Sequence, residues 1–230
     1  MSDPWANEYE NAKLAKRKQI RRMALEMAVA TGRGHIGSSL SCVDILCDLF
    51  YGPFRFGVDH FILSKGHASL ALYPILADVG YFELELLSKF GTPELPEHPT
   101  PIVPGIETTA GSLGHGLAIG CGIAIAQPNS NVYVLLGDGE CQEGSIWEAA
   151  RFAGERQVKN LFTIVDCNAY AATGPTNTQW LENAFAAFNT PNVRIEHTIK
   201  GAGISFMEAT GWHHQQMTAE QVAQAREELK

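Results

Sequence analysis

The feature that most constrains this chain is an apolar run that ends in a Gly-Asp-Gly turn, Val132-Tyr-Val-Leu-Leu-Gly137-Asp138-Gly139. A short, mostly apolar run of this kind predicts a strand buried on both faces. A second run, Leu161–Val165, leads into Asp166-Cys167-Asn168, and residues 146–156 between the two runs are helical in composition. A right-handed strand–helix–strand unit would bring Asp138 and Asn168 to the same edge of a parallel sheet.

The residue types at this edge predict a ligand site. A carboxylate and an amide carbonyl are hard oxygen ligands, and Mg²⁺ binds one or two such groups together with phosphate oxygens and water. Gly137 and Gly139 let the backbone turn sharply and let a ligand approach it closely. Taken alone, the two polar residues are equally compatible with an ordinary Gly-Asp-Gly turn and a capping role for Asn168.

The remaining pattern alternates apolar strands with helices. Further strands are predicted at Phe61–Leu63 and Val193–Ile199, and the proline-rich residues 91–105 are predicted to form an irregular loop. Apolar strands separated by helices predict an α/β fold, with a doubly wound, mainly parallel sheet flanked by helices. The predicted helical segments are 8–30, 42–50, 68–79, 113–126, 146–156, 180–188 and 218–230.

Composition narrows the class of protein. The 230 residues are 45% hydrophobic, which is enough for one sizeable core, and we expect residues 1–230 to form a single domain. The net charge of −8 argues against nucleic-acid binding, and the basic stretch Lys13–Arg22 is expected to be a solvated helix face. The N-terminus lacks a signal-peptide pattern and no apolar run is long enough to span a membrane. Five cysteines without a CxxC pair indicate reduced thiols and a cytoplasmic protein.

Several segments, in chain order, resemble the transketolase family. The Gly137–Glu140 turn together with Gln142-Glu143-Gly144, Asn168 and Gly174-Pro175-Thr176 is similar to the family's thiamine diphosphate motif. The other matching segments are Gly34-His35-Ile36-Gly37, Leu63-Ser64-Lys65-Gly66-His67-Ala68, Pro96-Glu97-His98-Pro99, Thr109–Gly116, Ile199–Glu208 and Trp212-His213.

This resemblance implies a diphosphate-binding domain that uses thiamine diphosphate and Mg²⁺. Asp138, Asn168 and the backbone carbonyl of Tyr170 would hold the metal. Other cofactor contacts would come from His67, Gly111, Ser112, Leu113, Gly139 and Asn168. Glu143 would lie at a subunit interface and relay to the partner's catalytic glutamate.

The resemblance also assigns His35, His98 and His213 to the substrate's hydroxyl and carbonyl groups. Imidazoles titrate near neutrality, so they can donate and accept protons where charge develops during ketol transfer. His60, His197 and His214 are expected to be structural, and the role of His115 stays open. Cys141, Cys167 and Trp147 are expected to be buried packing residues rather than ligands.

Two departures from the family pattern shape the functional prediction. Nothing in the chain resembles the pyrimidine-binding or C-terminal domains of transketolases, so we expect the N-terminal subunit of a split transketolase. A separate C-terminal subunit would complete an α2β2 heterotetramer that moves a two-carbon ketol unit from a ketose, or its phosphate, to an aldose. The 24 residues between Thr176 and Gly201 leave room for one helix and one strand and lack the family's Gly-His-Asp turn, which suggests a specialised relative. Glu97 also stands where the family commonly has glycine.

Alternative functions remain at this point. The combination of a Gly-Asp-Gly turn and a following asparagine also occurs in thiamine-dependent 2-oxoacid decarboxylases and dehydrogenases. Several histidines nevertheless suit a polyhydroxylated sugar substrate better than a 2-oxoacid. A noncatalytic assembly protein would keep the fold and lose the site. A nicotinamide-binding fold is disfavoured, because the spacing Gly111-x-x-Gly114-x-Gly116 reverses the usual fingerprint and no strand precedes it.

Overall fold

The computed structural model describes the backbone of residues 4–172 and 174–230, and side chains from Glu10 onward, so residues 1–3 and 173 of the predicted domain lie outside it. The helices are α1 (Pro4–Thr31), α2 (Ile36–Phe50), α3 (Ser69–Asp78), α4 (Gly116–Ala126), α5 (Gly144–Arg156), α6 (Leu181–Ala187) and α7 (Ala219–Glu228). The strands are β1 (His60–Leu63), β2 (Val132–Gly137), β3 (Leu161–Cys167), β4 (Tyr170–Ala171), β5 (Gly174–Pro175) and β6 (Val193–His197). Short 3₁₀ turns occur at Gly66–Ala68, Leu84–Lys89 and Glu140–Gln142.

Four parallel strands form the main sheet in the order β1-β2-β3-β6. Their register places Gly137 beside Asp166 and Cys167 beside His197, so the carboxyl ends of the strands meet at one edge. The two-residue strands β4 and β5 pair antiparallel just beyond the end of β3. The predicted α/β fold with a parallel sheet is therefore confirmed.

Helices cover both faces of this sheet. Successive side chains of a strand point to opposite sides, so the apolar strands present two apolar faces that helices can cover. Leu63 and Leu135 pack into a core with α1, α2 and α3. Ile62 and Val134 pack into a second core with α4, α5 and α6. Strands β1, β2 and β3 are thus largely buried, whereas the edge strand β6 is partly exposed.

The main boundary difference lies at α2, which begins six residues before the predicted start at Cys42. Gly32 and Gly34 adopt positive φ angles and end α1, and α2 then starts directly after His35. The serine-rich start of α2 is helical because its serine hydroxyls bond to backbone carbonyls within the helix. Ser39 Oγ donates to the His35 carbonyl at 3.0 Å, and Ser41 Oγ donates to the Ser38 carbonyl at 3.0 Å. This early start places His35 at the mouth of the site described below.

The predicted solvated face of the basic stretch is wrong for four of its residues, one of which is Lys13, 3.6 Å from Asp48. Lys16 lies 2.9 Å from Asp78, and both Arg17 (2.7 Å from Asp48) and Arg21 (2.8 Å from Asp44) pair with α2. Arg21 is itself buried. The positive charge therefore fixes α1 against its neighbours rather than facing solvent as a block.

Other expectations about the chain are met. Residues 177–200 hold one helix and one strand, α6 and β6, and residues 91–105 contain no regular helix or strand. The capping box at the start of α7 is present, with Gln221 N donating to Thr218 Oγ at 3.3 Å. All five cysteines are buried and unpaired. None of the described helices is long and apolar enough to cross a membrane.

Candidate active site

A cavity of about 330 Å³ opens at the carboxyl edge of the sheet. It brings together most of the residues that the sequence singled out, and it is half enclosed by the loops that follow β1, β2 and β3. The predicted residues that line it are His35, His67, His98, Gly111, Leu113, Asp138, Gly139, Asn168, Tyr170 and His213. It is also lined by Ser38, Lys65, Gly137, Glu140, Gln142, Ala171 and Ala172.

Asp138 and Asn168 are held rigidly at one end of this cavity. Asp138 is buried, and its carboxylate accepts hydrogen bonds from the backbone N–H of Gly139 at 2.8 Å and of Ala169 at 2.6 Å. The Thr176 hydroxyl donates to the same carboxylate at 3.0 Å. Ala169 adopts a left-handed conformation with φ 63°, which turns its N–H toward Asp138. The tight turn after β3 therefore fixes the orientation of the carboxylate.

The chemistry of this end fits a divalent cation and a diphosphate. The donor set is a carboxylate and an amide carbonyl, since the Asn168 side-chain nitrogen donates to Ser41 Oγ at 3.2 Å and its oxygen accepts from Tyr170 N at 3.1 Å. Burial raises the pKa of Asp138, and a bound cation would favour its ionised form. A Cβ on Gly139 would lie 2.9 Å from the Cβ of Ala171, so only glycine fits this wall of the cavity.

Four histidine side chains that line the cavity form a cluster. The ring centroid of His35 lies 5.4 Å from that of His67, 6.0 Å from that of His98 and 4.7 Å from that of His213. These rings come from four separate segments of the chain, and the sequence could assign them to one place only through the family resemblance. The structure does bring them together.

The environment keeps three of these rings, His35, His67 and His213, uncharged at neutral pH. Burial, assisted by the neighbouring His213, lowers the pKa of His35 to about 4. Burial also lowers the pKa of His67 well below its ordinary value, and lowers that of His213. Neutral imidazoles offer both a donor and an acceptor nitrogen, which suits recognition of hydroxyl and carbonyl groups.

A buried Lys65–Asp166 ion pair supports the floor of the cavity, and the motifs of the sequence did not predict it. Lys65 and Asp166 form a close contact with almost no exposure, and Lys65 Nζ also donates to the Ser38 carbonyl at 3.0 Å. Asp166 accepts hydrogen bonds from Ser41 at 2.5 Å and from Thr198. The attraction of Asp166 outweighs the effect of burial and holds the pKa of Lys65 above its usual range. Both residues stand in segments that the sequence analysis names, Lys65 two positions before His67 and Asp166 two positions before Asn168, but neither carried an assigned role.

Glu140, a motif residue to which the sequence assigned no role, ties the turn after β2 to the loop before α4. Its carboxylate accepts from Ser64 Oγ at 2.5 Å, from Gly114 N at 2.9 Å and from Gly137 N at 3.1 Å. The side chain is buried, and burial raises its pKa. Glu140 therefore holds the loop that carries Gly111 and Leu113 against the strand end that carries Asp138.

Three further residues lie outside the lining of the cavity. Ser112 and Glu143 are exposed and do not line the cavity, although Glu143 lies at the start of α5 beside the Gly114 turn. His214, which we expected to be structural, has its ring centroid 4.9 Å from that of His35. His60, by contrast, lies away from the cavity, where its Nδ1 is 2.7 Å from a carboxylate oxygen of Glu107.

Comparison with known proteins identifies the class. Residues 12–221 match the family model described as transketolase, thiamine diphosphate binding domain. The chain is 35% identical to an apulose-4-phosphate transketolase subunit of Phocaeicola vulgatus, over 96% of this chain and 94% of that protein. It is 34% identical to a 6-deoxy-6-sulfo-D-fructose transketolase subunit of a Clostridium species, over 92% of this chain and 94% of that protein.

Comparison with solved structures agrees with these sequence matches. The transketolase of Campylobacter jejuni superposes with a TM-score of 0.84 at 26% identity, covering 95% of this chain and 43% of that one. The chain thus spans less than half of the larger transketolase and nearly the whole of the subunits named above.

The fold and the cavity therefore define a thiamine diphosphate-binding domain of the α/β class. The chain belongs to the transketolase family. This confirms the predicted family, its ketol-transfer chemistry and its use of thiamine diphosphate with a divalent metal, and it favours transketolase over the 2-oxoacid alternative.

Proposed function

We propose that this chain is the diphosphate-binding subunit of a two-part transketolase and that residues 1–230 act as one domain of it. With a partner subunit it transfers a two-carbon ketol unit from a ketose phosphate to an aldose. The observation that carries this proposal is the cavity itself, which joins a metal-type donor pair to a cluster of histidine rings. Such a site suits a ligand with an anionic diphosphate and a polyhydroxylated co-substrate.

At the diphosphate end, Asp138, Asn168 and the Tyr170 carbonyl hold the divalent cation. The backbone of Gly139 and of Gly111–Leu113 approaches the diphosphate, with His67 donating a hydrogen bond to it. The bound thiamine ring supplies the carbanion chemistry that amino-acid side chains cannot perform. Ser112 lies outside the cavity, so its contribution would come through its backbone.

At the sugar end, His35, His98 and His213 bind the hydroxyl and carbonyl groups of the substrate. Because their site keeps His35 and His213 neutral, each ring can donate one proton and accept another as charge develops on the sugar oxygens. Relatives named for apulose 4-phosphate and for 6-deoxy-6-sulfo-D-fructose are consistent with a sugar phosphate or a related anionic ketose as the substrate.

The partner subunit would cover the surface around α4 and α5. The outward face of α4 is exposed and apolar, and it consists of Ala118, Ile119, Gly122 and Ile125. Glu143 lies exposed at the start of the neighbouring helix α5. A face of small and apolar residues beside an exposed glutamate supports an interface with a subunit that carries the pyrimidine-binding domain, where Glu143 relays to the partner's glutamate. We propose an α2β2 heterotetramer and, from the five buried reduced cysteines, a cytoplasmic location.

Reconstitution tests this proposal. The chain would be mixed with a transketolase-like C-terminal subunit, thiamine diphosphate and Mg²⁺, and ketol transfer would be followed from a panel of ketose phosphates, with pyruvate as the contrasting substrate. We expect activity only in the mixture, its loss in Asp138→Ala, and wild-type activity in the control Glu220→Ala on the exposed start of α7. Turnover by the chain alone, or a fully active Asp138→Ala, would refute the proposal.

Two further measurements test the proposed stoichiometry and the proposed role of Glu143 independently. Light scattering on the purified complex should give the mass of two copies of each subunit, and any other mass would reject the tetramer. Glu143→Gln should lower the rate while Mg²⁺ dependence stays unchanged, since this side chain does not line the cavity.

A further inference from the structure

Three side chains from distant segments converge at the mouth of the histidine cluster. His35 Nδ1 lies 3.3 Å from Glu97 Oε1, and His214 Nε2 lies 3.6 Å from the same oxygen. All three potential ligand atoms lie within 4.8 Å of one another. Glu97 stands where a glycine would be expected from the family resemblance, so this convergence is a particular feature of this chain.

The backbone holds these segments in place. Glu97 is fixed from α3, because Ser69 Oγ donates to its carbonyl at 2.5 Å and Tyr73 Oη donates to the Pro96 carbonyl at 2.8 Å. The segment before His214 packs closely on α2, where a Cβ on Gly37 would lie 2.4 Å from the Trp212 carbonyl oxygen. The arrangement is therefore built by the tertiary structure rather than by a loose surface loop alone.

The contact between His35 and Glu97 is incomplete as a hydrogen bond. His35 Nδ1 is buried and has no hydrogen-bond partner with suitable geometry, although a carboxylate oxygen lies 3.3 Å away. A zinc ion 2.0–2.1 Å from each ligand in a tetrahedron separates neighbouring ligand atoms by about 3.3–3.4 Å. Two of the three separations, 3.3 and 3.6 Å, lie close to that spacing, and the third, between the two imidazole nitrogens, is no more than 4.8 Å.

We propose that His35, Glu97 and His214 form a binding site for a transition-metal dication of the Zn²⁺ type, with a fourth position open toward the cavity. Two imidazoles and one carboxylate are a common three-ligand set for zinc. The set differs from the all-oxygen donors of Asp138 and Asn168, which suit Mg²⁺, so the two sites select different metals.

The position of the site predicts an effect on catalysis, a step that does rest on the proposed function. His35 is assigned to the sugar, and the ring centroid of His213 is 4.7 Å away. A metal ion held here would take the His35 nitrogen nearest Glu97 and occupy space that the sugar needs. Zn²⁺ should therefore inhibit ketol transfer in competition with the ketose, with little effect on the Mg²⁺ requirement.

The test is a titration of the isolated chain with Zn²⁺, without thiamine diphosphate or a partner, followed by calorimetry and thermal melting. Because the ligands lie far apart in the sequence and come together only in the folded state, Zn²⁺ should bind at one site and raise the melting temperature. Glu97→Gln and His214→Asn should each weaken binding by at least about 10–100-fold. His214 is half exposed, so its replacement carries little risk to folding.

The control is Glu107→Gln, which breaks the His60–Glu107 contact elsewhere on the surface and should leave Zn²⁺ affinity unchanged. X-ray absorption at the zinc edge should show nitrogen and oxygen ligands only. Equal affinity in Glu97→Gln, His214→Asn and the wild type would overturn the site, as would sulfur ligation by a cysteine. These readouts need no enzyme activity, so a failed reconstitution would not affect them.

Discussion

Replacing Asp166 by asparagine should destabilise the chain by about 3–5 kcal/mol, because the change removes one partner of a buried ion pair. In the wild type Lys65 and Asp166 are almost completely buried, and Asp166 also accepts hydrogen bonds from Ser41 and Thr198. Asparagine keeps the shape and can still bond the two hydroxyls. The loss therefore falls on the Lys65 ammonium, which keeps the Ser38 carbonyl as an acceptor but loses its charged partner.

For a chain of this size the expected loss corresponds to a fall of about 6–20 °C in the melting temperature. Urea denaturation of the wild type and of Asp166→Asn, monitored by circular dichroism, measures the free energy of unfolding. Lys65→Met, made alone and with Asp166→Asn, completes a double-mutant cycle. Because each single variant strands the other group, the double variant should lose much less than the sum of the two losses.

A matched control is the surface pair Arg151–Glu155 on α5, whose side chains are 60% and 58% exposed. Arg151→Ala should change the free energy of unfolding by no more than about 0.5 kcal/mol. A loss below about 1 kcal/mol for Asp166→Asn, or strict additivity in the cycle, would show that the pair is not the buried, mutually dependent contact that we describe.

Three other predictions concern residues that line the cavity or lie beside it. Gly37→Ala should lower the free energy of unfolding, measured by urea denaturation, by about 1–3 kcal/mol and should weaken Zn²⁺ binding. The reason is that the new Cβ would lie 2.4 Å from the Trp212 carbonyl oxygen. An unchanged stability together with an unchanged Zn²⁺ affinity would contradict this packing. The folded-state pKa of His35 is about 4 against an ordinary 6.5, so the unfolded chain binds more protons between these values. Lowering the pH from about 6.5 to 4, with a chelator present, should then reduce the free energy of unfolding by up to about 3 kcal/mol, and His35→Gln should flatten that slope. Glu140→Gln should lower the free energy of unfolding by about 1–3 kcal/mol and weaken cofactor binding. The two carboxylate oxygens accept from the Ser64 hydroxyl and from two backbone N–H groups, whereas an amide has only one accepting atom. Wild-type stability of the variant would reject this role.

Much of the fold follows from local sequence. The predicted strands are present because short apolar runs, bounded by turn residues, bury well only as central parallel strands. The Gly-Asp-Gly turn after β2 and the asparagine after β3 lie at the same edge because right-handed crossovers leave no other arrangement. The boundaries were less predictable, and α2 starts early because serine hydroxyls bond backward within the helix.

In the candidate site, too, some features follow from the sequence and others only from the tertiary structure. The sequence by itself determined its metal-type donors and, through family resemblance, its main histidines, since each of these belongs to a short motif. Only the tertiary structure decided that Lys65 and Asp166 pair beneath the cavity, and that Glu97 and His214 meet at His35. Such contacts join residues about 60 to 180 positions apart, and no local periodicity encodes them. They depend on how the sheet, α2 and the C-terminal segment pack together.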